Sequence, residues 1–513
     1  MDGLSAVLLV TLGVVLVAVL AYAAGDGYGA RFHVLMLLFA AAMAVTVTAS
    51  DLLLLLMGWE VMGAMSYALI GYAWPDAERV RSADIAFLTT RAADMGLYTA
   101  AGFAVAGAHS LRLDALAQAD APWRDLIAAG VVVSALGKSA QLPFSFWLSR
   151  AMAGPTPVSA LLHSATMVVA GAYLLLRLRP LLDATGWAAT AVSWAGALTA
   201  LLLGAVALAQ RDLKQLLAAS TCAQIGFMVL GAGAGSVDGA AAQLVAHAAV
   251  KSLLFLCAGV WLTRRGSDRL VDVTFGVGAI ALAGVPPLSL WVTKDGVLAD
   301  VGERSSALLA VGFAASVLSA AYAGKALLRL LRPAEPGVRV PLSQRIPLAG
   351  LAVAAAGLGV LGVSGVPGLP GGMEFHAWEL VLSGVVAVVT AGAVVVARRV
   401  PEPGWALDWL WLERAVMVVV VRPVFGAARA LAWFDDQVVD GAVRGVARAG
   451  RWTAGLTGRR VEIRVDGLVS LVGRAARGLA VLARRPQTGQ LHMYFAQAAV
   501  VLAVLAVVAV LAG

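Results

Sequence analysis

The chain has 513 residues, of which 61% are hydrophobic and only 13% are charged, and its mean hydropathy is +0.87. Soluble domains carry about 25% charged residues, so this composition excludes a soluble enzyme, a disordered chain and a nucleic-acid-binding protein. The formal net charge of +8 comes from arginines between apolar runs and in one late segment, which is a signal of membrane topology.

Fourteen apolar runs are long enough to cross a lipid bilayer, which takes about 20 residues of helix. The sequence therefore predicts an all-α polytopic membrane protein with about 14 transmembrane helices. The runs cover residues 4–24, 31–50, 51–73, 83–107, 124–145, 155–178, 187–210, 213–233, 238–263, 271–300, 305–331, 344–366, 377–398 and 489–512.

The loops between these runs divide unequally in basic residues, which predicts the orientation. The side with more arginine and lysine is expected to be cytoplasmic, so that both termini lie on the other side. The richer side holds Arg31, Arg79, Arg81, Arg150, Arg211, Lys214, Arg264, Arg265, Arg269, Arg329, Arg332, Arg339, Arg345, Arg398 and Arg399. The poorer side holds Arg112, Arg124, Arg177, Arg179 and Arg304.

An eight-residue pattern occurs twice, at Pro143–Arg150 and at Pro287–Lys294, and reads P-x-S-x-W-x-[ST]-[RK]. Five predicted helices separate the copies, so they have opposite topology, as in transporters built from inverted repeats with broken helices. We predict two inverted five-helix repeats, each forming a half-channel. The predicted parts are an N-terminal helix (1–30), two half-channels (31–178 and 179–331), additional helices (332–400), a lateral segment (401–487) and a C-terminal anchor (488–513).

The segment 401–487 is too charged to span the membrane, although it is rich in valine, leucine and tryptophan. Its charged residues recur at steps of seven, four and three, which places them on one helix face. We predict a long amphipathic helix along the membrane surface or along partner subunits, with an interruption near Gly450, Gly455 and Gly458. The alternative is a cytoplasmic loop with two unrelated surface helices.

Five charged residues lie well inside apolar runs: Glu60, Asp94, Lys138, Lys251 and Lys294. Each such charge costs about 2.5–3.5 kcal/mol on insertion scales, so pairing or internal water has to compensate. His163 and His247 add groups that titrate near neutral pH. The alternative for these residues is a set of structural ion pairs and packed hydrogen-bonders, and Asp295 could serve only to neutralise Lys294.

Lysine is rare in the chain and is found only in or beside the apolar runs. Of 38 basic residues five are lysines, and the other 33 are arginines that fill almost every loop. A buried lysine can lose its proton, whereas arginine does not deprotonate in proteins. The distribution of the lysines therefore indicates proton transfer. The alternative for the lysines near run ends is that their side chains simply extend to the membrane surface. The five lysines are Lys138, Lys214, Lys251, Lys294 and Lys325.

Cofactor motifs are missing from the sequence. Cys222 and Cys257 both lie inside apolar runs and form no C-x-x-C pair, which argues against iron–sulfur clusters, structural zinc and disulfides. No P-loop is present, and no G-x-G-x-x-G follows a strand-like run. We predict no metal site, bound cofactor or catalytic residue in this chain.

A series of short segments carries a family resemblance. They are Gly58–Glu60, Ser66–Gly71, Gly137–Pro143, Ala151–His163, Asp212–Lys214, Ser220–Thr221, Gln224–Gly226, His247 with Lys251, and Lys294–Asp295. From about residue 30 to the C-terminus the chain resembles the antiporter-like subunits of respiratory complex I, above all subunit L, the homologue of mitochondrial subunit 5.

The resemblance implies that each inverted repeat forms half of a proton path and that charged residues join the halves at mid-membrane. Glu60 would pair with Lys138 and tune its proton affinity, and Asp94 would modulate that pair. The lateral helix would clamp neighbouring subunits. The chain departs from the family pattern at Gln243, where a histidine is usual, and at Arg150, where an acidic residue is usual.

The other residues implied by the resemblance form the centre and the end of the path. His163 and His247 would connect through water towards Lys251. Lys294 and Asp295 would serve the exit half.

These observations favour a proton-translocating subunit of a complex I-type NADH–quinone oxidoreductase in the bacterial inner membrane, coupled to quinone reduction elsewhere in the complex. NADH, FMN, iron–sulfur clusters and quinone would bind partner subunits, and sister antiporter-like and small membrane subunits would be neighbours. The alternatives are a multi-subunit cation/proton antiporter, an energy-converting hydrogenase or related complex, and a purely structural anchor.

Overall fold

The computed structural model describes residues 2–264, 268–331, 340–366 and 377–512. Within these ranges the β-structure is limited to one bridge between Asp51 and Arg112, and every regular element is helical. The prediction of an all-α protein is therefore confirmed. Arg265, Arg332 and Arg339, three of the arginines behind the predicted orientation, lie outside the described residues.

The chain divides into two units, and the first extends to Val416. Its first half contains nine α-helices, besides one π-helical and one 3-10 stretch, and the four longest of the nine precede residue 104. They are α1 (Gly3–Ala24), α2 (Ala30–Thr48), α3 (Leu52–Ile70), α4 (Ala77–Phe103), α5 (Trp123–Lys138), α6 (Phe146–Ala151), α7 (Thr156–Ser164), α8 (Met167–Arg177) and α9 (Arg179–Thr185).

The second half of this unit begins with three long helices and ends in short ones. They are α10 (Trp187–Ala209), α11 (Leu213–Ala234), α12 (Val237–Arg264), α13 (Arg269–Ala283), α14 (Ser289–Arg304), α15 (Ser306–Leu327), α16 (Leu342–Gly357), α17 (Val360–Ser364), α18 (Ala377–Ala397), α19 (Gly404–Leu407) and α20 (Leu412–Val416).

Among the described residues, eleven helical stretches are long and apolar enough to cross a membrane. Ten of them coincide with predicted runs, and the eleventh, Trp409–Arg484, lies in the predicted lateral segment. The other four predicted runs are also helical, but α4 is too charged to qualify. Of the remaining three, the run 124–145 is helical only as far as Lys138, and the runs 271–300 and 344–366 each divide into two shorter helices.

Two of these breaks contain the repeated proline pattern. α5 ends at Lys138, and the chain turns before α6 begins at Phe146; α13 ends at Ala283, and α14 begins at Ser289. Pro143 and Pro287 lack an amide hydrogen and cannot continue a helical hydrogen-bond ladder. The prediction of broken helices at the two copies is therefore confirmed.

The centre of the first unit is formed by α7–α8, α11 and α12, whose membrane-length windows are completely buried within the chain. The windows of the surrounding helices are between 17% and 56% buried; those of α1 and α2 are 39% and 44% buried. Ionisable residues on the central helices are thus surrounded by protein, and their partners have to come from neighbouring helices.

Small residues bring α4 and α5 close together. A Cβ on Gly96 of α4 would lie 2.5 Å from the carbonyl oxygen of Gly130 on α5, a distance that no side chain tolerates. Glycine is required there because the two backbones touch, as in small-residue contacts between membrane helices.

The second unit begins at Met417 and is helical almost throughout. Its helices are α21 (Arg422–Phe434), α22 (Asp440–Leu456), α23 (Ile463–Arg484) and α24 (Leu491–Ala512), and the first three are joined by π-helical stretches. The predicted interruption near Gly450 is wrong. Glycine lowers helix propensity by about 1 kcal/mol relative to alanine, which the continuous helix tolerates, and a π-helical stretch at Thr457–Glu462 accommodates the glycine-rich region.

Candidate functional site

Seven of the eight predicted site residues are buried within the first unit. The exception is Glu60, whose side chain is 21% exposed. Buried charges are expensive unless they are paired and hydrogen-bonded, so the partners of each group determine what it can do. The seven are Asp94, Lys138, His163, His247, Lys251, Lys294 and Asp295.

Lys138 at the end of α5 is the buried lysine with a direct carboxylate partner. Its Nζ donates to Asp94 Oδ2 at 3.0 Å and lies 5.2 Å from the centroid of the Trp59 ring. Asp94 Oδ1 in turn accepts hydrogen bonds from Trp59 Nε1 at 2.7 Å and from Ser134 Oγ at 3.4 Å. Side chains from α3, α4 and α5 thus form a closed cluster that satisfies both charges.

The predicted pairing of Glu60 with Lys138 is wrong. Glu60 forms an ion pair with Arg91 instead, whose side chain is 38% exposed. Successive helix residues point about 100° apart, so α3 can direct either Trp59 or Glu60 towards Asp94, but not both. Trp59 is fully buried there, and Glu60 consequently faces Arg91.

The non-helical segment between α5 and α6, which follows Lys138, is stabilised by side chains that hydrogen-bond to backbone carbonyl groups. Ser139 Oγ donates to the carbonyl oxygen of Val168 at 2.8 Å, and Gln141 Nε2 donates to that of Ser139 at 2.9 Å. Trp147 Nε1 donates to the carbonyl oxygen of Gly137 at 3.0 Å. Irregular backbone at membrane depth is tolerated where protein groups satisfy its hydrogen bonds. Ser139, Gln141 and Trp147 therefore stabilise the helix end that carries Lys138.

His163 and His247 are fully buried, and neither ring is fully hydrogen-bonded. Nε2 of His247 lies 3.2 Å from the carbonyl oxygen of His163. Its Nδ1 and both ring nitrogens of His163 have no partner among the described residues, and the His163 ring packs against Phe255 with centroids 4.8 Å apart. Buried polar atoms of this kind bind internal water, so these three nitrogens are the atoms that a water bridge towards Lys251 would use; that bridge stays a prediction.

Lys251, one turn beyond His247 on α12, is fully buried. Its Nζ donates to the carbonyl oxygen of Leu217 at 3.1 Å and to Ser220 Oγ. Both acceptors are neutral oxygens on α11, and they accept a hydrogen bond from an ammonium group or from a neutral amine. The site can therefore hold Lys251 in either protonation state.

Lys294 and Asp295, the last of the predicted site residues in chain order, lie on α14. Lys294 Nζ has no hydrogen-bond partner among the described residues and lies 5.7 Å from the centroid of the Phe227 ring. The carboxylate of Asp295 accepts a hydrogen bond from Ser383 Oγ on α18, and Trp291 Nε1 reaches the same hydroxyl at 3.1 Å. Asp295 is thus held by a helix outside the two repeats, in addition to its place beside Lys294.

A buried polar chain that the sequence analysis did not assign joins α11, α12, α14 and α15. Thr293 Oγ1 donates to Gln243 Oε1, and Gln243 Nε2 donates to Gln224 Oε1 at 2.9 Å. Gln224 Nε2 then donates to Tyr322 OH at 2.7 Å and to Ser319 Oγ at 2.9 Å. Glutamines inside apolar runs were the available signal, because a buried amide needs partners.

Lys214 and Lys325 connect segments on the arginine-rich side. Lys214 Nζ donates to the carbonyl oxygens of Met152 and Gly154 at 2.8 and 2.9 Å, in the turn between α6 and α7. Lys325 Nζ lies 3.1 Å from Glu402 Oε1. Both lysines therefore tie a helix end to a connecting segment.

Arg150, one of the departures from the family pattern, also has a defined partner. Its Nε and Nη2 donate to the two carboxylate oxygens of Glu413 at 2.8 and 2.6 Å. Bidentate arginine–carboxylate pairs fix geometry as well as charge, so this arginine positions α20 on α6.

The fold and these groups define a polytopic membrane protein with a series of ionisable side chains inside the bundle. A family model described as "NADH:quinone oxidoreductase/Mrp antiporter, TM" matches residues 49–319, which is 271 of the 513 residues. The chain belongs to this family. The matched range contains all eight predicted site residues.

Known relatives agree with this assignment. The chain is 35% identical over 357 residues to the chloroplastic NAD(P)H-quinone oxidoreductase subunit 5 of Zygnema circumcarinatum, covering 63% of this chain and 51% of that relative. It is 33% identical over 337 residues to the NADH-ubiquinone oxidoreductase chain 5 of Pongo abelii, covering 63% and 56%. The chain thus spans about half the length of the curated relatives it matches.

A solved structure also resembles the chain. It is the Mrp complex from Dietzia sp., with a TM-score of 0.68 and 29% sequence identity. The match covers 95% of this chain and 56% of that one.

Proposed function

We propose that the chain is a proton-translocating, antiporter-like membrane subunit of a complex I-type NADH–quinone oxidoreductase. The observation that carries the proposal is the series of three lysines buried within the bundle, Lys138, Lys251 and Lys294, which are 0%, 0% and 1% exposed. Lysine can exchange a proton in such surroundings and arginine cannot. The names of the relatives, which are quinone oxidoreductase subunits, support the parent complex.

The three lysines differ in their partners, and each difference suits one step of a relay. Lys138 shares a cluster with Asp94, so its ammonium group is paired with a fixed carboxylate. Lys251 has neutral acceptors, so it can receive and release a proton, with His163 and His247 as its water-linked neighbours. Lys294 beside Asp295 would deliver the proton to the exit half.

The chain itself would bind no redox cofactor in this role. NADH, FMN, iron–sulfur clusters and quinone would be held by partner subunits, and sister antiporter-like and small membrane subunits would be its neighbours in the bilayer. The fifteen-to-five division of basic loop residues supports a bacterial inner-membrane orientation with both termini on the non-cytoplasmic side.

Secondary cation/proton exchange is the second candidate function. The observation that favours it is the match to the Mrp complex structure, which covers nearly the whole chain. The same buried lysines would then move protons in exchange for another cation, and quinone chemistry would play no part.

A purification in mild detergent, followed by mass spectrometry of the co-purifying subunits, distinguishes the two. Flavin, iron–sulfur and quinone-site subunits are expected with the full-length tagged chain. Membrane antiporter subunits without any redox protein would assign the chain to cation/proton exchange. In the same membranes, Lys138→Ala and Lys294→Ala should impair proton pumping while the complex remains assembled. Normal pumping by both variants would exclude the relay.

A further inference from the structure

A cavity of about 660 Å³ opens at one end of the first unit. Its walls come from the ends of α10, α11, α12 and α15 and from the segment that follows α18. Because membrane-length helices end together here, the cavity lies at the level of the lipid headgroups. The basic loops around it belong to the side predicted to be cytoplasmic.

The wall of this cavity is strongly basic. Two carboxylates, Asp212 and Glu402, line it together with six cationic side chains, so four positive charges are in excess. Asp212 caps α11 by accepting from the Gln215 backbone amide at 2.9 Å, and Glu402 binds two of the cations. The six are Arg211, Lys214, Lys325, Arg329, Arg398 and Arg399.

Glu402 fixes part of the basic wall in place. Its Oε2 lies 2.7 Å from Arg211 Nε, and its Oε1 lies 3.1 Å from Lys325 Nζ. The carboxylate therefore anchors the segment after α18 and holds two cations at the cavity. The side chains of Arg398 and Arg399, four and three residues earlier, are exposed at the rim.

Apart from Gln210, the rest of the lining is apolar. Leu216, Ala258, Trp261 and Leu262 contribute to the wall, and Leu262 is 52% exposed on the flank of α12. The Arg329 guanidinium lies over the Trp261 ring, 5.2 Å from its centroid. Cations and apolar surface thus meet in one cavity at the edge of the bundle.

We propose that this cavity binds the headgroup of an anionic phospholipid, with the phosphate at the arginines and an acyl chain along Leu262. Arginine and lysine are the side chains that bind phosphate, and basic pockets between membrane helices on the cytoplasmic side suit anionic headgroups. A free phosphate ion would use the cations but not the apolar wall, so the combination selects the lipid. The proposal does not depend on which ion the chain moves.

The test is lipid retention by the purified full-length chain, measured by native mass spectrometry after exchange into phosphatidylglycerol or phosphatidylcholine micelles. We expect the chain to retain phosphatidylglycerol in preference to phosphatidylcholine. The double variant Arg398→Gln/Arg399→Gln should weaken retention about ten-fold, since each basic residue near a phosphate contributes measurably. The matched control, Arg444→Gln/Arg448→Gln, removes the same charge from exposed positions of α22 and should retain the lipid.

Two results would overturn the proposal. The first is equal retention by the cavity variant and its control. The second is displacement of the lipid by millimolar inorganic phosphate, which would identify a free anion as the occupant.

Discussion

Nζ of Lys138 lies 3.0 Å from Oδ2 of Asp94, and the two side chains are 0% and 3% exposed. The pair joins α4 to α5, whose backbones touch at Gly96 and Gly130, about two helical turns along α5 from Lys138. A buried ion pair is stable only while both partners are present. The chemistry of Lys138 is thus linked to the packing of these two helices.

Asp94→Asn should therefore be more harmful than Glu60→Gln. Removing one member of a buried pair costs about 3–5 kcal/mol, whereas the Glu60–Arg91 pair is partly exposed and is worth far less. We expect a lower melting temperature in detergent and a loss of pumping for Asp94→Asn, and near-normal values for Glu60→Gln. The reverse order would show that Glu60 is the functional partner of Lys138.

Gly130→Ala tests the close approach of α4 and α5. The new methyl group would collide with the Gly96 carbonyl oxygen, and overpacking of this kind costs about 1–3 kcal/mol. The melting temperature should fall, and pumping should fall with it. Gly102→Ala in α4 is the matched control, because a Cβ there meets no atom within 4 Å; equal effects at both positions would contradict the account.

Gln243→Leu tests the polar chain between α11 and α14. The change leaves Gln224 Oε1 without its donor, at a cost of about 1–3 kcal/mol for that buried group, and Thr293 Oγ1 keeps only its bond to the Ser289 carbonyl oxygen at 3.2 Å. Thermal unfolding should report the loss. Gln437→Leu makes the same exchange at an exposed position of the second unit and should leave the melting temperature unchanged; a similar drop in both variants would mean that the chain of hydrogen bonds contributes nothing.

Glu402 makes the anchoring of the segment after α18 dependent on pH. Hydrogen bonds from Arg211 first and from Lys325 second hold the pKa of Glu402 below its ordinary value of 4.5. Since the pKa is lower in the folded state, the contact stabilises the segment above pH 4.5 and is lost as the pH falls through the folded-state pKa.

Hydrogen exchange of residues 398–407, corrected for the intrinsic rate, should therefore stay slow from pH 7 to 5 and accelerate well below pH 4.5. Glu402→Gln, which carries no charge at any pH, should exchange faster than the unaltered chain between pH 5 and 7 and should not show this acceleration at low pH. A profile of the unaltered chain that is flat down to pH 3 would refute the role of Glu402.

The sequence predicted most of the helices because apolar runs of membrane length rarely form anything other than a helix. It also located the buried charges, since Lys138, Lys251 and Lys294 interrupt such runs. The partner of Lys138 could not be derived in this way: residues 59 and 60 are adjacent in sequence, and only the packing of α3 on α4 decides which of them faces Asp94. The family resemblance named the right set of residues around Lys138 but assigned the pair to the wrong carboxylate.

The partner of Asp295 could not be predicted from the sequence pattern either. Ser383 lies 88 residues after Asp295, outside both predicted repeats, and nothing in its spacing indicates a contact with α14. The Gln224–Gln243 chain had a visible signal in two amides within apolar runs. Its path through Tyr322 and Thr293 depended on how four helices pack.

The central claim is that buried lysines move protons by gaining and losing them, and charge-conserving substitution tests it most directly. Lys138→Arg and Lys294→Arg keep the positive charge but cannot release a proton. Proton uptake by membrane vesicles should fall strongly in both variants while the subunits still assemble, and Arg112→Lys at an exposed loop position should pump normally. Full pumping by an assembled complex that carries both arginine substitutions would contradict the account.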